Sequence, residues 1–126
     1  MEKEKKMAEK PRILICDDEE GIRESLNLIL KDKYRLLFAK NGEECLNTLS
    51  KEKGIPLVLI DIKMPKQNGI EITKEIKRLH PEIKIIVVTG YASAEIAAEA
   101  TSAGADDYIV KPFESAQIDK IVTRNL

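Results

Sequence analysis

Leu57-Val58-Leu59-Ile60 is an unbroken apolar run of strand length, and it ends on a carboxylate, Asp61. Ile62-Lys63-Met64-Pro65 follows at once and Gly69 comes shortly after, so the chain turns directly beyond the acid. Continuous apolarity, as opposed to alternation, marks a strand covered on both faces, the habit of parallel sheets packed between helices. Asp61 is therefore expected at the carboxyl edge of a buried strand, where open α/β sheets place their chemistry. A carboxylate buried there costs free energy unless a cation or hydrogen bonds compensate it. Asp17-Asp18, Thr89 and Lys111 each also end an apolar run and offer that compensation.

The rest of the chain repeats the same alternation. Ile13-Leu14-Ile15-Cys16 reads as a first strand, and Ile22, Leu26, Ile29 and Leu30 mark one face of a first helix. Tyr34 to Ala39 reads as a second strand near an edge, and Asn41-Gly42 as a turn before a helix over residues 43–52 with Cys45, Leu46 and Leu49 inward. Gly54-Ile55-Pro56 breaks that helix ahead of the Leu57–Ile60 strand. Ile70, Ile72, Ile76 and Leu79 predict a third helix stopped by Pro81, with His80 as a surface residue at its end. Ile85–Val88 is a fourth strand, Ser93–Ser102 an alanine-rich helix with Ile96, Ala97 and Ala100 inward, and Asp107–Val110 a fifth strand. Glu114–Asn125 closes the chain as a helix with Ile118, Ile121 and Val122 inward. Strands alternating with helices call for a doubly wound α/β domain: a five-stranded parallel sheet, helices on both faces, right-handed crossovers.

Composition excludes several functions. With 126 residues, 43% of them apolar and 34% charged, the chain suits one domain with one core. A net charge of -1, with no long basic stretch, argues against direct nucleic-acid binding. No apolar run approaches the roughly 20 residues of a membrane span. Residues 1–10 carry seven charges, read as a disordered lead-in with no secretory signal, and the domain as residues 11–126. A cytoplasmic location is expected, with Cys16 and Cys45 as reduced thiols.

In a parallel sheet all C-terminal strand ends point one way, so Asp17, Asp18, Asp61, Thr89 and Lys111 converge on one rim. Three carboxylates there raise one another's pKa, and a hard divalent cation removes the conflict. Mg²⁺ takes oxygen ligands; Asp18 and Asp61 are the best direct ligands, with Asp17 direct or through a water, and a backbone carbonyl of the loop after Asp61 completes the set. With no histidine nearby and no cysteine motif, zinc is disfavoured. The acid pair also suits the start of the first helix as cap and first-turn acids, and an aspartate can do both. Thr89 equally suits a helix cap before Ser93, and Lys111 an exposed strand end. Pro112 holds Lys111 in extended geometry.

Asp61, between a metal and a lysine, can attack phosphorus and carry an acyl phosphate. Lys111 and Thr89 would then meet the charge on the equatorial oxygens. No general acid or base is evident, which suits holding a phosphoryl group better than fast turnover. A small Mg²⁺-dependent phosphohydrolase with Asp61 as nucleophile is the alternative, although such enzymes need a second acid where this chain has Lys63. A purely structural module with an inert pocket is the third reading.

Asp17-Asp18, Asp61-x-x-Met64-Pro65-x-x-x-Gly69, Thr89-Gly90 and Lys111-Pro112-Phe113 occur in order and at this spacing. In this the chain resembles the receiver domain of two-component response regulators, the class of the single-domain chemotaxis regulator, from Pro11 to about Leu126. The resemblance implies a flavodoxin-like (βα)5 fold with strand order 2-1-3-4-5. It implies a phosphorylation-dependent switch, not a turnover enzyme, in which Asp61 is phosphorylated by a histidine kinase, a phosphotransfer protein or small phosphodonors with Mg²⁺ bound. It makes the Lys63 carbonyl a metal ligand and Thr89 and Tyr108 the switch pair. Lys63 and Tyr91 fall at positions that tune phosphoryl lifetime. The face of the fourth helix, fifth strand and fifth helix would change partners, serve an output domain or downstream effector, or form a homodimer. Tyr108 alone reads equally as a half-buried structural aromatic. Leu57 departs from the family habit of an acid after the proline, far from the rim. Both a stand-alone regulator and the receiver portion of a larger one fit a chain that ends with its fifth helix.

Overall fold

A computed structural model describes residues 10–126 of the chain, and the expected charged lead-in falls almost wholly on residues 1–9, outside the described residues. Strands and helices alternate throughout: β1 (Arg12–Cys16), α1 (Glu20–Leu30), β2 (Arg35–Ala39), α2 (Gly42–Lys51), β3 (Leu57–Ile60), α3 (Gly69–Leu79), β4 (Lys84–Thr89), α4 (Ala94–Ser102), β5 (Asp107–Val110) and α5 (Ser115–Arg124). The sheet is parallel in the order β2-β1-β3-β4-β5, the doubly wound order expected from the resemblance. Cys16 pairs with both Ala39 and Ile60, and Ile60 with Val87. The central strands therefore end nearly level, and the residues after them start at a common height.

Successive strand residues face opposite sides, and both sides are apolar. Leu14, Cys16, Val58, Ile60, Ile85 and Val87 pack with Cys45 and Leu49 of α2, Ile72 and Ile76 of α3, and Ala100 of α4. Ile13, Ile15, Leu57, Leu59, Ile86 and Val88 pack with Leu26 and Leu30 of α1 and Ile118 and Val122 of α5. Both cysteines are free and buried. Burial pushes the Cys16 thiol up, and the adjacent Cys45 thiol pushes it further. No helix among the described residues is long and apolar enough to cross a membrane.

One local expectation needs correction. Asn41-Gly42 does not stand between elements as a turn. Asn41 is the N-cap of α2, its side chain accepting from the Glu44 N–H at 2.9 Å, and Gly42 is the first helical residue. A Cβ on Gly42 would lie 2.5 Å from Ile72 Cδ1, so glycine is what lets α2 sit close to α3. Leu79 is 48% exposed and does not join the inward stripe of α3, which consists of Gly69, Ile70, Ile72, Thr73 and Ile76. Thr73 is tolerated there because its hydroxyl donates to the Gly69 carbonyl at 2.8 Å. His80 ends α3 as its C-cap, with its N–H on the Ile76 carbonyl.

Candidate functional site

The hydrogen-bond ladder of the sheet carries on into the residues that follow the strands. Asp17 N–H donates to the Ala39 carbonyl at 3.1 Å, Asp61 N–H to the Cys16 carbonyl at 3.0 Å, and Lys111 N–H to the Thr89 carbonyl at 2.8 Å. The backbones beneath the two acids and the lysine are thus set by sheet geometry. Their side chains meet. Lys111 Nζ lies 2.9 Å from Asp17 Oδ2 and 3.0 Å from Asp61 Oδ2. Asp17 and Asp61 are only 2% and 4% exposed, and Thr89 is fully buried. The Lys111–Pro112 peptide is cis.

Each alternative for these residues can now be weighed. Asp17 does serve the start of α1, since its Oδ1 accepts the Glu19 N–H at 2.9 Å. Its Oδ2 is on Lys111, so one carboxylate does both jobs. Thr89 is not the cap of α4; Ser93 holds that place, its hydroxyl accepting the Ile96 N–H at 3.1 Å. Lys111 is not an exposed strand end, its side chain being 13% exposed. Asp18 is exposed beside them.

Asp17, Asp18, Glu19 and Asp61 each place a carboxylate oxygen within 4.8 Å of the others. One ammonium cannot neutralise four carboxylates. At Asp17 burial pushes the carboxyl above its ordinary value, the Glu19 N–H and Lys111 hold it down only in part, and Asp61 adds a little to the rise. Burial alone would lower the Lys111 ammonium, but the hydrogen bonds and charges of Asp17 and Asp61 outweigh it and the pKa is raised. A crowded set of hard oxygen donors with surplus negative charge is fit to coordinate a divalent cation.

A cavity of about 620 Å³ opens over this cluster, lined among others by Asp18, Asp61, Lys63, Thr89, Tyr91 and Lys111. Lys63 N–H donates to Asp61 Oδ1 at 3.3 Å, while its ammonium stands 5.6 Å from the centroid of the Tyr91 ring. Lys63 also bridges to Asn68, and Gly69 N–H donates to the Ile62 carbonyl at 2.6 Å, which folds the loop back beneath the acid. A Cβ on Gly69 would lie 2.7 Å from Ile62 Cα, so only glycine permits that return. Tyr108 does not line the cavity. It is half-buried, and its hydroxyl donates to the Tyr91 carbonyl. The Tyr91 N–H in turn donates to Thr89 Oγ1 at 3.4 Å, so the Tyr91 backbone is held between Thr89 and Tyr108.

Glu19 is a rim residue that the sequence motifs do not single out, although it directly follows Asp17-Asp18. Its backbone is the N-cap of α1, yet its side chain makes no capping bond and turns to the rim instead, 3.6 Å from Lys111 Nζ. Adjacency to Asp17-Asp18 was the only signal.

Residues 13–123 match the response regulator receiver domain family. Sporulation initiation phosphotransferase F of Bacillus subtilis is 37% identical over 116 residues, covering 91% of this chain and 93% of that protein. The transcriptional regulatory protein ZraR of Klebsiella oxytoca is 40% identical over 103 residues, 81% of this chain but 23% of that regulator. The chain thus spans about a quarter of some relatives and nearly all of others. Among solved structures, the response regulator protein TrrA of Thermotoga maritima, in complex with Mg²⁺ and BeF, superposes with a TM-score of 0.83 at 37% identity over 92% of this chain and 99% of that one.

Proposed function

Since the chain belongs to the response regulator receiver domain family, and is accordingly a phospho-acceptor signalling switch as opposed to a turnover enzyme, we propose that Asp61 is the residue that accepts the phosphoryl group. The observation that carries this is the buried Asp61 carboxylate, held 3.0 Å from Lys111 Nζ at the floor of an acid-lined cavity. Asp61 has two oxygens and spends one on Lys111 and one on the Lys63 N–H. The carboxylate is oriented from both sides and opens toward the cavity, ready to bond to phosphorus. Lys111 follows the new charge onto a phosphoryl oxygen and exchanges its contact with Asp61 for a stronger one. Thr89, lining the same cavity, donates its hydroxyl to another oxygen.

Asp17, Asp18 and Asp61, with the Lys63 carbonyl, are the ligands we assign to Mg²⁺, the cation whose complex the TrrA structure holds. Bound there, the ion supplies positive charge against the phosphoryl oxygens. The residues fit it because their oxygens are already crowded and under-neutralised.

Readout follows from the Tyr91 backbone. When the Thr89 hydroxyl turns to the phosphoryl group it gives up the Tyr91 N–H, and the Tyr91 carbonyl that holds the Tyr108 hydroxyl shifts with it. The surface of α4, β5 and α5 then presents a different face to its partner. The stacked Lys63 and Tyr91 stand over the cavity mouth and set how easily water reaches the acyl phosphate. Histidine kinases and phosphotransfer proteins are the family's phosphoryl donors, and we assign this chain a donor of that class.

Treatment with acetyl phosphate and Mg²⁺ followed by intact-mass measurement tests the assignment. Wild type is expected to gain one phosphoryl unit and D61N none. A wild type that gains nothing, or a D61N chain that gains as much, overturns it.

A further inference from the structure

Resting on the assignment of Asp61 as acceptor, we propose that Glu19 is a specificity-determining residue for the phosphoryl donor, setting the rim's preference between donors of different net charge. Four carboxylates crowd the rim, and Glu19 differs from the others that touch Lys111 in one respect. The side chains of Asp17 and Asp61 are 3% and 6% exposed, but that of Glu19 is 63% exposed. Its charge is exposed to solvent, and the residue lines the cavity that opens over Asp61. Its backbone is fixed by the bond from its N–H to Asp17 Oδ1 and by the Arg23 N–H on its carbonyl at 3.1 Å. The side chain makes no capping bond, and among the described residues its only ion-pair partner is Lys111, at 3.6 Å.

Charge counting gives the effect its sign. Against four carboxylates stand the Lys111 ammonium, the Lys63 ammonium that lines the same cavity and, with a divalent cation bound, two further positive charges, so the rim is close to balanced and each carboxylate counts. Neutralising Glu19 makes the rim one charge more positive. A donor feels that change in proportion to its own charge. Acetyl phosphate arrives as a dianion. Its reaction forms an Asp61 O–P bond, breaks the P–O bond to the acetyl group and releases acetate. Phosphoramidate arrives as a zwitterion of net charge minus one. Its reaction forms the same bond, breaks P–N and releases neutral ammonia. Glu19 therefore handicaps a dianionic donor such as acetyl phosphate more than a donor of net charge minus one such as phosphoramidate. The same carboxylate charge favours the cation, so Glu19 opposes small-molecule labelling while favouring the metal.

The experiment compares wild type, E19Q and E19D by intact mass, with each donor, at saturating Mg²⁺ and low salt. Because the side chain is mostly exposed, the variants fold. E19Q is expected to label about fivefold faster with acetyl phosphate and about twofold faster with phosphoramidate, with the gap closing at high salt. Melting curves across a Mg²⁺ titration are expected to show about fivefold or more weaker cation binding in E19Q. E19D, which keeps the charge, returns both readouts toward wild type. Equal acceleration with the two donors, no acceleration, or unchanged Mg²⁺ affinity overturns the role of Glu19 while leaving Asp61 labelling in place. A wild type that labels with neither donor overturns the acceptor assignment, and this role with it.

Discussion

Helices α3 and α4 lie side by side on one face of the sheet, yet they are held very differently. α3 buries Gly69, Ile70, Ile72, Thr73 and Ile76, is capped by Asn68 through the Ile70 N–H at 2.7 Å, and is pinned at its start by the Gly69 return under Asp61. α4 has a capping serine too, but of its own residues only Ala100 is buried, with Ile96 and Ala97 half-covered. Apolar area removed from water is the main adhesive of a surface helix, and α4 has little of it. The first helix anchors the loop after Asp61 and the second sits next to the Thr89–Tyr91 segment. Strong and weak anchoring are divided between the two sides of one pocket, and the proposed readout uses the weakly held side.

The largest expected effect that probes this contrast is truncation. Ile76→Ala, at a fully buried position, is expected to cost about 2–5 kcal/mol. Ile96→Ala, half-buried, is expected to cost about 1 kcal/mol or less. Urea melts measure both, and equal costs would break the comparison. Next comes Gly69→Ala, whose new methyl group must displace the backbone at Ile62. A loss of about 1–3 kcal/mol is expected, with Asp61 labelling slowed because the loop beneath the acid moves; a variant that labels at the wild-type rate would show that α3 does not position the acceptor.

The smallest effect concerns the tie between the two helices. Asp106, in the turn after α4, accepts from Lys77 of α3 at 2.9 Å and from the Ile85 N–H at 2.9 Å. Burial alone would raise its carboxyl, but Lys77, the Ile85 N–H and Lys84 together hold it below the ordinary value. A depressed folded-state pKa means the stabilisation is fully present above the unfolded value of about 4 and is lost as pH falls through the folded value. Asp106→Asn is therefore expected to lower stability at neutral pH by about 1 kcal/mol or less for so partly exposed a pair, seen as a slightly lower melting temperature, and to flatten the fall in stability below about pH 4. A D106N melting profile parallel to wild type through that range would mean the tie contributes nothing.

The elements are legible because the apolar runs and helical stripes are long and cleanly separated, and Asp17, Asp61, Thr89 and Lys111 stand out as candidates because each ends or directly follows a run. What escaped has a physical cause in each case. Leu79 carries the helical spacing of an inward residue, but periodicity does not say where the sheet stops covering a helix. Asn41 was read through its neighbour Gly42 as a turn, although Asn is as apt to cap a helix. Lys66, at φ 70°, sits in the left-handed region, and nothing in a lysine announces that. Glu19 was hidden by abundance, since a helix start rich in acids looks complete without a further role for any of them.

The ladder bonds that reach past the strand ends to Asp17, Asp61 and Lys111 have a thermal corollary. The backbones of these three residues are an extension of the last rungs of the sheet, with no hinge between the two. Their mutual spacing is therefore expected to survive warming until the sheet itself gives way.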